Sequence, residues 1–264
     1  MASKTSKYSS IIEHIFMQNY ENGTDSVSFD RNQLINVASK LNIQVPKNVG
    51  DVIYSFRYRS PLPDTIQNTA PKGKEWVIVG TGMANYEFRL CNKSHVIPNS
   101  NLEEIPIPNN TPEIITLYQL SDEQSLLCKA RYNRILDVFL GIVSYSMQNH
   151  LRTHVKGVGQ IEIDELYVGV NQRGQHFIIP VEAKVGNDSV GVVQLMQDIR
   201  YCEQYFPHLI CIPVAIHRLE NENSLCLFRL KLDNDLVKIV DEKHYKLVPA
   251  SDITTEYIVD KNYK

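Results

Sequence analysis

The chain has 264 residues, of which 43% are hydrophobic and 22% charged, and its formal net charge is -3. This length allows one large domain or two modest ones, and the net charge argues against a uniformly basic nucleic-acid binder. The longest apolar stretches, such as "LICIPVAI" at 209–216, are too short to cross a bilayer. No apolar segment follows the charged N-terminus, so we predict a cytoplasmic protein with no secretory signal and no membrane contact.

The five cysteines are widely spaced among apolar neighbours. Neither cysteines nor histidines show the spacing of a zinc site. We therefore expect buried, reduced thiols and no structural zinc.

Residues 1–95 show the element order of a winged helix-turn-helix. Apolar residues at helical spacing predict a helix over 7–19, and Asp30 is placed to cap a second helix over 31–41. A third helix, 48–59, ends before two prolines, and the segments "EWVIVG" and "NYEFRL" then predict a β-hairpin. We predict a winged-helix-like α+β domain that binds DNA.

Basic and aromatic side chains of this N-terminal part are candidates for DNA contacts. Residues 1–95 contain 11 Lys and Arg against 8 Asp and Glu, whereas the remainder contains 16 against 22. Lysine and arginine bind phosphates and tyrosine contacts sugars or bases. The predicted DNA-binding residues are Arg57, Tyr58, Arg59, Lys72, Lys74 and Arg89. The alternative is that the tyrosines are partly core and the arginines lie at a solvated helix end.

A proline-rich segment, 96–120, is predicted as an extended linker or wrapping segment. Ser121 and Gln124 then have the spacing of a capping box, and the apolar pattern behind them predicts one long helix that ends near residue 151. A hairpin, a helix over 189–205 and two apolar strands follow. Residues 121–264 are thus predicted to form an α/β domain with a mixed sheet flanked by helices.

The hairpin has the sequence "GQIEIDELYVGVNQRGQHFIIPVEAK" and carries four carboxylates and a lysine. With a turn at 171–174, simple pairing places Val168 opposite Phe177. Apolar residues fall on odd numbers up to Ile163 and on even numbers from Leu166, so the alternation slips by one residue. This slip predicts a β-bulge at Asp164 and Glu165.

The bulge brings the charged side chains of the two strands together. It places Glu162 directly opposite Glu182, with Asp164 and Lys184 as diagonal neighbours. Adjacent carboxylates repel one another, and a divalent cation such as Mg²⁺ relieves that repulsion. A lysine beside the ion orients or deprotonates a water if its pKa is lowered. The alternative is a solvent-exposed hairpin face with Glu–Lys pairs, but "IIPVEAKV" is apolar around its charges, as in a buried strand.

"IEIDELYVG" followed by "IPVEAK" resembles the PD-(D/E)xK nucleases, which are restriction-endonuclease-like proteins. The resemblance implies that Asp164 and Glu182 hold Mg²⁺ or Mn²⁺, with the Ala183 carbonyl as a further ligand and Lys184 as the catalytic lysine. No proline precedes Asp164, so Glu162 and Glu165 are rival candidates for the first acidic position. The helix after the motif resembles a glutamine-bearing helix of this superfamily and adds Gln194 and, more weakly, Gln197 to the candidates.

Two other features are candidates for a role near the site. The polar run 146–155 is predicted to contact the DNA backbone, to support the site or to end the long helix. Asp137 is predicted to be solvated or bonded to a backbone N–H rather than to reach the metal.

The resulting hypothesis is a Mg²⁺-dependent DNA endonuclease of restriction or antiphage defence. It is expected to act on double-stranded DNA as a homodimer, because cutting both strands requires two sites, and to work with defence-system partner proteins. Two alternatives stay open. One is a DNA-binding regulator or scaffold with an inactive nuclease fold, and the other is a repair or transposition nuclease of the same fold.

Overall fold

The protein is a mixed α/β structure in which helices flank a mixed β-sheet. This computed structural model describes residues 8–58, 60–93, 96–118, 122–186, 188, 190–233 and 236–254. Across these residues, no helix is both long enough and apolar enough to cross a membrane.

The N-terminal unit, residues 8–93, contains the predicted helices and hairpin, and all of these are confirmed. Its elements are α1 (Ser9–Asn19), β1 (Ser26–Asp30), α2 (Arg31–Lys40), α3 (Gly50–Tyr58), α4 (Asp64–Gln67), β2 (Lys74–Gly82) and β3 (Asn85–Asn92). Asp30 caps α2 as predicted, because its carboxylate accepts the Gln33 N–H at 2.8 Å while its own N–H donates to the Gln33 side chain at 2.9 Å. Ile11, Ile12, Ile15 and Phe16 of α1 are buried, as their helical spacing indicates.

Strand β1 is absent from the sequence-based prediction. It pairs antiparallel with β3, so the small sheet has the order β1-β3-β2. Only Val27 and Phe29 of β1 are buried, and two alternating apolar residues are too few for a period-two pattern. The helices pack on this sheet around Trp76, Phe16 and Phe88 in a core of their own.

The C-terminal part is built on an eight-stranded mixed sheet. Its strands are β4 (Glu104–Pro108), β5 (Val143–Val155), β6 (Gly159–Val170), β7 (His176–Lys184), β8 (Ile210–Cys211), β9 (Val214–Arg218), β10 (Ser224–Asp233) and β11 (Leu236–Val248). The order is β4-β11-β10-β9-β7-β6-β5, and β8 pairs with β7 off this path. Strand β7 runs parallel to β8 and β9, and β11 runs parallel to β4.

The predicted linker 96–120 contributes to this sheet. Strand β4 pairs with the outer edge of β11, and α5 (Glu113–Tyr118) follows it. Prolines are tolerated in β4 because an edge strand leaves one side of its backbone unpaired. The segment is therefore not extended throughout, because part of it is a strand of the large sheet and part of it is a helix.

The single long helix predicted from Ser121 onward is wrong. Helix α6 (Glu123–Tyr132) and helix α7 (Ile135–Leu140) are separated at Arg134, whose φ is +50°, and α7 ends at Gly141, whose φ is +64°. The residues from 143 onward form strand β5 at the edge of the sheet, so the polar run 146–155 is not a helix terminus. The cap of α6 is Asp122, which accepts the Ser125 N–H at 2.8 Å; Ser121 lies outside the described residues.

Helices cover both faces of the large sheet. Leu126, Leu127 and Ala130 of α6 pack on Val181 and Ala183 of β7. On the other side lies α8 (Val192–Tyr205), which confirms the helix predicted to follow the hairpin. Strand β7 is buried from Phe177 to Lys184, which explains why its sequence is apolar on both sides of its two charges.

The β6–β7 hairpin differs from its predicted register by one residue. Val168 lies opposite Ile178 instead of Phe177, and the ladder ends at the pair Glu165–Val181 without a register shift. The predicted bulge in this ladder is thus wrong, and Glu162 lies opposite Arg152 of β5 rather than opposite Glu182. The change in alternation is nevertheless present in the packing. Ile163 and Leu166 would face opposite sides of a regular strand, yet both belong to one apolar cluster.

Candidate active site

A cavity of about 400 Å³ lies where β6 and β7 separate beyond their last paired residues. Its lining combines five carboxylates, one lysine, one glutamine and two tyrosines: Glu123, Glu162, Asp164, Glu182, Asp188, Lys184, Gln194, Tyr54 and Tyr58. The strands supply the central charges, α6 and α8 supply Glu123 and Gln194, and α3 supplies the tyrosines. The structure therefore brings Glu162, Asp164, Glu182, Lys184 and Gln194 to one place.

Glu182 and Lys184 lie side by side on β7 because residues two apart in a strand share a face. Their exposed fractions are 3% and 8%. The Lys184 ammonium lies 3.3 Å from Oε2 of Glu182 and 3.9 Å from Oε1 of Glu123. Burial of these charges is tolerated because they are paired with one another.

Asp164 binds the backbone of β7 through its side chain. Its Oδ2 accepts the N–H of Ala183 at 2.9 Å, at the level where the β6–β7 ladder has ended. The carboxylate is thereby held next to the peptide that links Glu182 to Lys184. Ala183, predicted as a ligand through its carbonyl, contacts Asp164 through its N–H.

Gln194 lies in the first turn of α8 and donates a hydrogen bond from Nε2 to Oε2 of Glu182 at 3.0 Å. Its Oε1 accepts the N–H of Gly191 at 3.4 Å, which caps the helix. The side chain is thus held at both ends and orients the Glu182 carboxylate. Gln197 is buried and accepts a hydrogen bond from the Tyr58 hydroxyl at 2.6 Å.

Glu162 and Glu165 are the rivals of Asp164 for the first acidic position, and only one of them lines the cavity. Glu165 is fully buried, pairs with Nε of Arg131 at 2.9 Å and does not line the cavity. Glu162 does line it, but its carboxylate accepts the Tyr54 hydroxyl at 3.0 Å and Nη2 of Arg152 at 3.0 Å, and His150 lies 3.2 Å away.

The electrostatics of the cavity favour binding of a cation. Burial, reinforced by the negative charge of Asp164, raises the pKa of Glu182 to about 8. Burial alone would lower the pKa of Lys184, but Glu182, Asp164 and Glu123 outweigh it and the pKa is raised. Lys184 therefore stays charged. To deprotonate a water, as considered from the sequence, it would need a lowered pKa, and the protein groups alone do not lower it. For Glu162, burial is outweighed by Arg152 and Tyr54, so its pKa is lowered.

The donor set fits a hard divalent cation. Asp164 and Glu182 offer carboxylate oxygens, the ligands that Mg²⁺ prefers. Oε1 of Glu182 is buried and has no hydrogen-bond partner among the described residues. A buried carboxylate oxygen without a partner is costly, and coordination to a metal ion would satisfy it.

A second group of metal-type side chains lies on β10 and β11. Ligand atoms of Cys226, Glu242 and His244 lie within 4.8 Å of one another. Oε1 of Glu242 accepts hydrogen bonds from Asn99 N–H at 2.7 Å and from the Cys226 thiol at 3.6 Å, and it lies 2.8 Å from Nε2 of His244. These contacts explain the cluster as a hydrogen-bond network.

The predicted DNA contacts do not form one surface. Lys72 and Lys74 are exposed, whereas Arg89 pairs with Glu87 at 2.8 Å. Arg57 lines a second cavity beside the turn between β5 and β6, and Tyr58 lines the candidate site, where burial raises its pKa to about 12. Arg59 lies outside the described residues.

Glu123 and Tyr54 were missed as site residues. Glu123 directly follows the cap residue Asp122 in the first turn of α6. Acidic residues are common at this position because they interact favourably with the helix dipole, so Glu123 gave no signal of a functional site. Tyr54 lies 108 residues from its partner Glu162 in the sequence, and no local pattern reports such a contact. Asp137, by contrast, accepts the Ser144 N–H at 3.0 Å, which confirms its predicted role.

No protein-family model, curated protein or solved structure was found to match this chain. The fold and the cavity define a mixed α/β protein with a buried, carboxylate-rich site. Function is therefore inferred from the geometry of that site.

Proposed function

We propose that the chain is a metal-dependent endonuclease that hydrolyses phosphodiester bonds in DNA. The observation that carries the proposal is the convergence of Asp164, Glu182 and Lys184 in one cavity, with Glu182 and Lys184 buried on a strand. This combination of two carboxylates and a lysine is the pattern that the resemblance to PD-(D/E)xK nucleases implies.

Asp164 and Glu182 would hold Mg²⁺, or Mn²⁺ in its place. The bound ion polarises a phosphate and lowers the pKa of a coordinated water. Lys184, which its carboxylate neighbours keep charged, would stabilise the negative charge that develops on the phosphate oxygens. Gln194 would hold Glu182 in the ligating orientation.

The architecture supports this proposal. The large sheet with helices on both faces agrees with a restriction-endonuclease-like core. The order α1-β1-α2-α3, followed by the short helix α4 and the hairpin β2-β3, agrees with a winged-helix-like domain. We assign the activity to restriction or another antiphage defence, on double-stranded DNA and as a homodimer that supplies one site per strand. A repair or transposition nuclease would use the same site.

A DNA-binding regulator with an inactive site is the competing function. The intact pairing of Glu182 with Lys184 and Gln194 argues against it.

The test is cleavage of supercoiled plasmid and phage DNA in Mg²⁺, in Mn²⁺ and in EDTA. Lys184→Ala, Glu182→Ala and Asp164→Asn are expected to abolish cleavage while DNA binding is retained. Lys243→Ala, which removes an exposed lysine of β11, is the matched control and should cut normally. Normal DNA binding by the wild type without cleavage in either metal would establish the regulator instead.

A further inference from the structure

A second, larger cavity of about 810 Å³ opens between α3 and the turn that joins β5 to β6. It shares Tyr54 and Glu162 with the candidate active site. The two cavities therefore adjoin at this hydrogen-bonded pair, and we call the larger one the side groove. Basic side chains of the side groove are Arg31, Arg57, Arg152 and His154.

The two units are in tight contact at this groove. A Cβ built on Gly80 of β2 would lie 1.9 Å from the carbonyl oxygen of Val158, in the turn between β5 and β6. Tyr54 and Tyr58 of α3 reach across to Glu162 and Gln197. Helix α3 is thus a wall of both cavities.

Arg57 differs from Arg152, another cation of the side groove, in its hydrogen bonding. Its Nε and Nη2 atoms are buried and have no hydrogen-bond partner among the residues described by the structure. Arg152, in comparison, is bonded to Glu162 at 3.0 Å. The Arg57 guanidinium stacks 5.0 Å from the centre of the Tyr58 ring, which positions it.

Arg57 is half-buried, and two buried N–H-bearing atoms without acceptors are destabilising for the free protein. Such an arrangement is explained if the acceptors arrive with a ligand. A guanidinium binds the oxygens of a phosphate through two parallel hydrogen bonds, and Arg57 lines the side groove. The side groove adjoins the carboxylate cavity. A phosphate bound by Arg57 would therefore lie close to the phosphate at the carboxylates.

We propose that Arg57 binds a backbone phosphate of the strand that is cleaved, next to the scissile phosphate, and that the side groove carries this strand out of the active site. The proposal rests on the proposed function, because it takes the substrate to be a nucleic acid. It assigns α3 to holding the cleaved strand beside the metal rather than to reading bases on a remote surface. The ligand chemistry is a phosphodiester, whether from a duplex or from a single strand.

The test measures binding by fluorescence anisotropy in EDTA, where no cleavage occurs. Labelled oligonucleotides of one sequence are used as single strand and as duplex, at several salt concentrations. Arg57→Gln is expected to weaken binding by about 10- to 100-fold and to reduce the slope of log affinity against log salt by about 0.9 on duplex or about 0.7 on single strand. Arg57→Lys keeps the charge and should retain most of the slope while losing affinity.

Arg173→Gln is the matched control, because Arg173 is exposed in the turn at the far end of the β6–β7 hairpin; its affinity and slope should equal those of the wild type. A thermal melt shows that Arg57→Gln is folded, and its melting temperature should not fall, since the substitution removes buried N–H-bearing atoms without acceptors. If Arg57→Gln loses more affinity for the duplex than for the single strand, the substrate is duplex. The opposite result identifies a single-stranded substrate.

Wild-type affinity and salt slope in folded Arg57→Gln would overturn the phosphate assignment while leaving plasmid cleavage intact. No binding of either oligonucleotide by the wild type would overturn it as well. Binding that depends on Arg57 without cleavage in any metal would instead reject only the nuclease function. The two proposals therefore fail separately.

Discussion

The pKa of Glu182 predicts an unusual pH dependence of stability for the metal-free protein. Burial and Asp164 raise this pKa from 4.5 to about 8 in the folded state. A carboxyl group whose pKa is raised on folding stabilises the fold below its unfolded pKa, and that stabilisation is lost as the pH rises through the folded value. The free energy of unfolding is therefore expected to fall between about pH 4.5 and about pH 8.

The size of the loss follows from the shift. One pKa unit corresponds to about 1.4 kcal/mol, and most of the shift is titrated between about pH 5 and about pH 8, so the expected loss is on the order of 3 kcal/mol. Because Glu182 is fully buried, solvent does not screen this effect. Asp198, whose pKa burial and Glu182 raise, adds a loss in the same direction.

The assay is urea denaturation in EDTA at about pH 5 and at about pH 8. It compares the wild type with Glu182→Gln and Asp198→Asn. Glu182→Gln removes the titrating group with almost no change in shape, so its unfolding free energy should fall about 3 kcal/mol less than that of the wild type. Asp198→Asn should remove the additional loss that comes from Asp198. Equal pH dependence in wild type and Glu182→Gln would refute the reasoning. When Mg²⁺ replaces EDTA at about pH 8, stability should recover in the wild type and not in Glu182→Gln.

Three further predictions follow from single contacts. Gln194→Ala should weaken Mg²⁺ affinity or activity by about 10- to 100-fold because it frees Glu182; Mg²⁺ titration of cleavage checks this, and wild-type titration would contradict it. Gly80→Ala places a Cβ 1.9 Å from the Val158 carbonyl and should lower stability by about 1–3 kcal/mol in urea titrations, whereas a neutral result would mean that the two units separate readily. Glu165→Ala removes the carboxylate that binds Arg131 and should lower stability by about 1–3 kcal/mol, because Arg131 is partly exposed and water can solvate it; if cleavage vanished with stability unchanged, Glu165 would belong to the site.

Local sequence patterns predict the parts of this fold that local interactions determine. The cap at Asp30 and the helices of the N-terminal unit depend on contacts three or four residues apart, and such spacing is visible in a sequence. The segment after α6 shows the limit. Apolar residues from Leu136 to Val143 fit a helix, but Gly141 ends it in a left-handed conformation, and the strand that follows is stabilised by pairing with β6.

The candidate site was predicted although the register behind it was wrong. The predicted bulge and the observed end of the ladder both place Asp164, Glu182 and Lys184 around one point, because strand geometry puts residues 182 and 184 on one face in either register. Contacts from other elements could not be predicted in this way. Glu123 and Tyr54 reach the cavity through packing of α6 and α3, and the sequence carries no periodic signal for packing between distant elements.

The contacts of α3 couple the N-terminal unit to the chemistry. Tyr54 binds Glu162 and Tyr58 binds Gln197, so a movement of α3 would displace groups at the edge of the cavity. Arg152 and Tyr54 hold the Glu162 carboxylate, and a phosphate entering the side groove would compete with it for Arg152. Release of Glu162 would then add a carboxylate to those of Asp164 and Glu182. On the proposed function, binding of the strand would thereby be coupled to assembly of the metal site.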